Sequence, residues 1–167
     1  WAGAAAYVRG TAVVGSCVYS SSPASSASSS SSSSSSNTLM YIPPALRLEG
    51  ATMIATPSTH AARRGSEPVL TFTTNQPLVA YIAMDHRICD VKGCPPKWLS
   101  ALGFTPCTDE SCIVLTSNTD VGYYTLWQKR VDSADTTWWQ LGGNSAGLPT
   151  SDRTRYENYF IMFTPAD

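Results

Sequence analysis

Short runs of apolar, β-branched and aromatic residues recur along the chain, separated by Pro, Gly, Asn and Asp. The pattern predicts strands over Tyr7–Tyr19 (interrupted at Gly10 and Gly15), Thr38–Ile42, Ala51–Thr56, Val69–Thr74 and Leu78–Met84. Further strands are predicted over Cys112–Thr116, Gly122–Arg130, Thr137–Leu141 and Tyr156–Thr164. No stretch sustains a helical apolar period, and only Lys97–Leu102 predicts a short turn of helix. So many short strands in 167 residues imply an all-β fold, an antiparallel β-sandwich of jelly-roll-like character.

Two parts of this pattern can be read further. Val69–Thr74 and Leu78–Met84 flank Gln76-Pro77 as a hairpin would, with Val69, Thr71 and Thr73 on one face and Leu70 and Phe72 on the other. The second segment, LVAYIAM, is apolar almost throughout, as a central strand covered on both faces should be. In the last strand Tyr156, Asn158, Phe160 and Met162 alternate with Glu157, Tyr159, Ile161 and Phe163. Both faces turn apolar toward its end, which places it centrally too.

Between Ser20 and Ser36 serine fills 14 of 17 positions, and no packed element can be built from it. The tract divides the chain into a strand-like segment (1–19), a Ser-rich tether (20–37) and the sandwich domain (38–167). The first segment buries too little surface to fold alone, so YVRGTAVVGSCVY must pair with the sheet that follows or with a neighbouring molecule. As flexible coil, the tract spans about 23 Å, and fully extended about 55 Å. The shorter figure already crosses one face of a sandwich, so a long surface loop within one domain is expected. The chain has no Asn-x-Ser/Thr acceptor, which leaves the serine hydroxyls as candidates for O-glycosylation, with an unmodified loop as the alternative.

Composition narrows the partners. With 11 Lys and Arg against 12 Asp and Glu, the chain has no basic surplus for nucleic acid or an anionic membrane. Its longest apolar run, Leu78–Met84, is far shorter than the ~20 residues that cross a bilayer. Opening on Trp1 with no charged leader, it reads as a processed chain or a segment of something larger. Cys89, Cys94, Cys107 and Cys112 form two C-x4-C pairs. Low charge and the Ser-Pro-rich tract favour disulfides in an oxidising, extracellular compartment over a four-cysteine zinc site. Local pairing within each loop and crossed pairing between them both stay open. Cys17 is left over as a buried small hydrophobe, a free thiol or half of an intermolecular bond.

From Leu46 to Thr164 a series of motifs runs in a recognisable order: MIATPSTHAARRG (Met53–Gly65), LTFTTNQPLVAYIAMDHR (Leu70–Arg87), PPKWLSALGF (Pro95–Phe104), LWQKRV (Leu126–Val131) and WWQLGGN (Trp138–Asn144). It resembles a β-sandwich accessory module of secreted bacterial polysaccharide-degrading and cell-surface proteins. The resemblance covers about two-thirds of the chain and implies a binding or accessory role, with no catalytic residues to carry over. The two cysteine loops and the doubled tryptophan depart from the pattern. So does Pro57-Ser58-Thr59-His60, which stands where an acidic loop is usual.

Asp85-His86-Arg87 is the most chemically suggestive cluster, but adjacent strand residues point to opposite faces, and an Asp85–Arg87 ion pair that fixes the next loop is the simpler expectation. His60 and His86 have no ligand spacing, and no metal or cofactor is assigned. Trp98 is expected to lock a turn, and Gly142-Gly143-Asn144 to form one. Of Trp138 and Trp139, one should face the core and the other outward. An outward tryptophan near Tyr123, Tyr124 or Trp127 would make a platform for a sugar ring or a contact for a neighbouring subunit.

The expectation is therefore a non-catalytic extracellular module of a cell-surface assembly or appendage, joining subunits through strand addition by its first segment. Its partners would be other copies of itself or neighbouring extracellular subunits. A carbohydrate-binding accessory module is the alternative, and a small secreted hydrolase using Asp85 and His86 the third reading.

Overall fold

In the computed structural model, residues 8–11, 19–20, 37–57, 64, 66–89, 95–108, 112–132, 138–144 and 156–166 are described, with the backbone alone at 8–11, 19–20, 57 and 89. The strands are β1 (Val8–Thr11), β2 (Tyr19–Ser20), β3 (Leu39–Tyr41), β4 (Thr52–Pro57), β5 (Pro68–Phe72) and β6 (Leu78–Asp85). They continue with β7 (Thr105–Pro106), β8 (Ile113–Thr116), β9 (Tyr124–Val131), β10 (Trp139–Gly142) and β11 (Phe160–Pro165). Two short helices, α1 (His86–Cys89) and α2 (Lys97–Ala101), follow β6. The all-β, sandwich-like class read from the sequence is the class observed.

The large sheet runs β1-β4-β11-β6-β9-β8-β3 with antiparallel neighbours throughout. The short β2 pairs in parallel with β4, and β7 pairs with β9. Among the described residues, β10 and β5 form a second, two-stranded sheet. β6 and β11 lie at the centre of the large sheet, as their sequences require. Phe160, Ile161 and Met162 are completely buried, and each such side chain removed from water contributes roughly 1.5–3 kcal/mol.

Alternation along these central strands builds two cores, one on each face. Tyr81, Ala83, Leu126, Phe160 and Met162 meet Leu39, Ile42, Leu48 and Ala51, so the segment 39–51 covers one side. Ala80, Ile82, Met84 and Ile161 meet Val69, Trp139 and Leu141 of the small sheet, together with Ile88, Leu99 and Phe104. A strand with polar residues at every second position could not serve both cores, which is why LVAYIAM is apolar almost throughout.

The expected β5–β6 hairpin is not formed. β5 pairs with β10, whereas β6 pairs with β9 and β11. The connector around Gln76-Pro77 crosses from one sheet to the other, because Leu70 and Phe72 bury their faces against the large sheet rather than beside it. Several strand ends also move inward: residues 156–159 precede β11 and 122–123 precede β9 as irregular chain.

Of the two destinations open to the first segment, its own sheet is the one observed. Val8–Thr11 is registered with Thr52–Ala55, and Tyr19 with Thr56, all within the same chain. The serine tract beyond Ser20, Cys17, Cys94 and His60 lie outside the described residues.

Candidate functional site

The small sheet is narrower than the sheet it covers, and this mismatch opens a cleft. Trp139 of β10 lies over the β9 side, with the Lys129 ammonium 4.3 Å from its ring centre. Phe72 of β5 reaches β11, edge-to-face with Phe163 at 5.4 Å. Among the described residues no third strand follows β5, so the inward face of β4 has no described strand above it in this sheet.

The resulting cleft has a volume of about 310 Å³, near the lower end of the range for small-molecule sites. Ile54, Leu70, Phe72, Leu78 and Phe163 supply its apolar wall, and Thr52, Thr73, Thr74, Asn75 and Gln76 its polar lip. None of these ten residues carries a charge. Asn75 and Gln76 are exposed in the β5–β6 connector, and neither side chain has a hydrogen-bond partner among the described residues. Each amide therefore presents both a donor and an acceptor to whatever enters.

The outer face of the small sheet is also uncharged. Thr71, Thr73, Gln140 and Trp138 are all exposed, and Trp138 is 68% accessible while Trp139 is 2% accessible. The doubled tryptophan thus divides as strand alternation demands. Trp139 is registered with Phe72, so Trp138 and Thr73 stand one step beyond that pair, at the same end of the sheet as the cleft.

The opposite end of the small sheet, where Gly142 is registered with Pro68, is held by a set of hydrogen bonds. The Trp98 indole N–H donates to the Gly143 carbonyl at 2.9 Å, and the Tyr159 hydroxyl donates to the Gly142 carbonyl at 3.0 Å. The Gly143 amide donates to the carbonyls of Arg64 and Glu67. The Asn144 side-chain Nδ2 donates to the Glu157 carbonyl. Leu-Gly-Gly-Asn is thus a turn clamped on several sides, and Trp98 locks it.

The other sequence-selected residues lie elsewhere. Tyr124 is fully buried, in edge-to-face contact with Phe160 at 5.3 Å. Trp127 is half-buried against the core beneath the small sheet. Tyr123 is exposed, with its ring stacked on His86 at 4.0 Å. Tyr123 and Tyr124 belong to the Asp85 end of β6, because Tyr124 is registered with Asp85, whereas Leu78 of the cleft is registered with Val131 at the opposite end. The five aromatic residues therefore do not form one platform, and Trp138 alone faces outward near the cleft.

At the Asp85 end, a buried carboxylate organises the chain. Asp85 is inaccessible to solvent, and its oxygens accept from Arg87 Nε at 2.9 and 3.2 Å and from Nη2 at 2.6 Å. They also accept from the backbone amides of Arg87 and Glu157, each at 3.0 Å. Arg87 Nη1 continues to the Asp120 carbonyl, and the hydrogen bonds to Asp85 raise the guanidinium pKa further. Burial, reinforced by the charge of Asp85, pushes the Glu157 carboxyl up, and Asn118 donates to it at 3.1 Å. His86 Nδ1 lies 3.0 Å from the Tyr123 carbonyl. Asp85 and His86 are each engaged with different partners and are not joined as an acid–imidazole pair.

A disulfide joins Cys107 to Cys112. Among the described residues, no cluster of His, Cys, Asp and Glu is arranged to hold a metal ion, and no helix is long and apolar enough to cross a membrane. The cleft escaped sequence reading because its walls come from β4, β5, β6 and β11, brought together only by the crossing of β5 to the second sheet.

No family model matches the chain, and no curated protein matches it significantly. Among solved structures, the fold is similar to part of a β-glucuronidase from glycoside hydrolase family 2, with a TM-score of 0.66 and 14% sequence identity. The alignment covers 100% of this chain and 14% of that enzyme. At this identity the likeness is one of fold: the chain has the β-sandwich shape of one small part of a much larger carbohydrate-active protein.

Proposed function

We propose that the chain is a non-catalytic, extracellular carbohydrate-binding module that serves as an accessory to a larger protein. The observation that carries this reading is the cleft beside β5, whose described lining is uncharged and sets an apolar wall against the amides of Asn75 and Gln76 and the hydroxyls of Thr52 and Thr73. Sugars present both surfaces, a patch of C–H groups and a ring of hydroxyls, and an aromatic wall with neutral hydrogen-bonding groups complements both. The fold likeness to part of a glycoside hydrolase supports the same assignment. The Cys107–Cys112 disulfide supports an oxidising compartment. Binding of the full chain to a broad glycan array, followed by titration of any hit, tests the reading. Failure to retain any glycan would remove it.

A second reading, a structural module in contact with neighbouring subunits, draws on the 68% exposure of Trp138. It is the weaker of the two, because Val8–Thr11 already pairs with β4 of its own chain. A monomeric mass in solution at high concentration would count against it.

A further inference from the structure

We infer that the cleft selects an uncharged glycan and discriminates against uronic acids, an inference that rests on the carbohydrate-binding reading above. A sugar carboxylate drawn into such a cleft loses water and needs compensation from a cation or several aligned donors. Arginine is the usual provider, through its two-pronged guanidinium. The ten described residues that line the cleft include no Arg, Lys or His. Of the described basic side chains, Arg87 is bound to Asp85, Arg130 to Asp132, and Lys129 lies over Trp139, while Arg47, Arg64, His86 and Lys97 are not in the lining.

What the cleft does provide suits a neutral sugar. The side chains of Asn75 and Gln76 each offer a donor and an acceptor, and the hydroxyls of Thr52 and Thr73 do the same. Sugar hydroxyls have the same dual character, so each contact can form in either direction without a buried charge. Phe72 and Phe163 supply apolar surface for the C–H face of the ring. A wholly apolar ligand would leave the amides of the lip facing a partner that cannot bond them. A carboxylated one would leave its charge uncompensated.

The test titrates the full-length chain with two panels. One contains neutral oligosaccharides (gluco-, xylo-, manno- and galacto-series), and the other oligomers of glucuronic, galacturonic and mannuronic acid. Each panel is measured at low and at high salt. The expected result is binding of at least one neutral series, with Kd unchanged within about twofold across salt. Asn75→Ala and Gln76→Ala should each weaken it roughly five- to tenfold. Thermal unfolding of both variants should match wild type, since both residues lie in an exposed connector. Arg9→Gln is included because Arg9 is registered with Ile54 of the cleft wall; neutral binding should survive it. Binding confined to uronates, weakened by salt or abolished by Arg9→Gln, would overturn the inference and leave the carbohydrate-binding reading standing. No binding to either panel, or binding that the lip variants leave untouched, would overturn both.

Discussion

Cys107 and Cys112 are bonded to each other and also hydrogen-bonded to opposite sides of one residue, Leu126. The Cys107 amide donates to the Leu126 carbonyl at 2.9 Å, and the Leu126 amide donates to the Cys112 carbonyl at 3.3 Å. β7 and β8 both pair with β9, so the bridge closes the break in an interrupted neighbouring strand. Closing so short a loop contributes about 2 kcal/mol in the chain-entropy model. Cys107→Ser/Cys112→Ser, or reduction of wild type, should lower the denaturation midpoint by a corresponding amount. Hydrogen exchange should accelerate first at Leu126; unchanged protection there would show that the bridge does not hold this edge.

Removing the Asp85 carboxylate should be among the most damaging single changes. It leaves the Arg87 guanidinium and the Glu157 amide without their buried acceptor. Breaking one side of a buried pair costs about 3–5 kcal/mol. Urea denaturation of Asp85→Ala would measure it, and a loss below 1 kcal/mol would contradict the organising role given to this residue.

Glu157 should make stability fall as pH rises through the weakly acidic range. Its folded-state pKa lies above the ordinary glutamate value because of burial and the nearby Asp85 charge. Between the unfolded and folded values the folded state holds more protons, so the slope of unfolding free energy with pH from this residue is negative. Glu157→Gln keeps an acceptor for Asn118 and should flatten that slope, while stabilising the protein at neutral pH. Unfolding curves across the acidic range compare the two proteins directly.

The two adjacent tryptophans should behave oppositely. Trp139→Ala empties a site packed against Phe72 and Phe104 at 5.3 and 5.8 Å, and should cost about 3–5 kcal/mol. Trp138→Ala should change stability by less than ~0.5 kcal/mol, so any effect it has on glycan affinity can be read as a binding effect.

Trp98→Phe should separate packing from hydrogen bonding. The ring contact with Tyr159 at 5.4 Å can be largely kept, but the donor to the Gly143 carbonyl is lost. An unsatisfied buried acceptor costs about 1–3 kcal/mol. Equal stability of Trp98→Phe and wild type would show that the indole N–H contributes no clamp.

Local pattern revealed most of the elements and the depth at which they lie. Leu78–Asp85 is central because it is apolar on both faces, and Trp138 and Trp139 divide because strand neighbours alternate. The Asp85–Arg87 contact was also legible from their spacing. Pairing partners were not: periodicity tells which face of a strand is buried, but not which strand lies beside it. Val69–Thr74 and Leu78–Met84 look like a hairpin by every local sign, yet their apolar faces are used by two stacked layers. The cleft was illegible for the same reason, since Ile54, Phe72 and Phe163 become neighbours only through that stacking.

The crossing of the chain between β5 and β6 separates two jobs that many small domains must perform with the same residues. Both strands are fixed by the cores they bury, while Thr73–Gln76 between them lies at the mouth of the cleft. Its exposed members, Thr73, Asn75 and Gln76, can change without disturbing either layer, whereas Thr74 is buried. Relatives of this fold would then acquire new preferences by rewriting a handful of exposed positions, leaving the scaffold as an inherited constant.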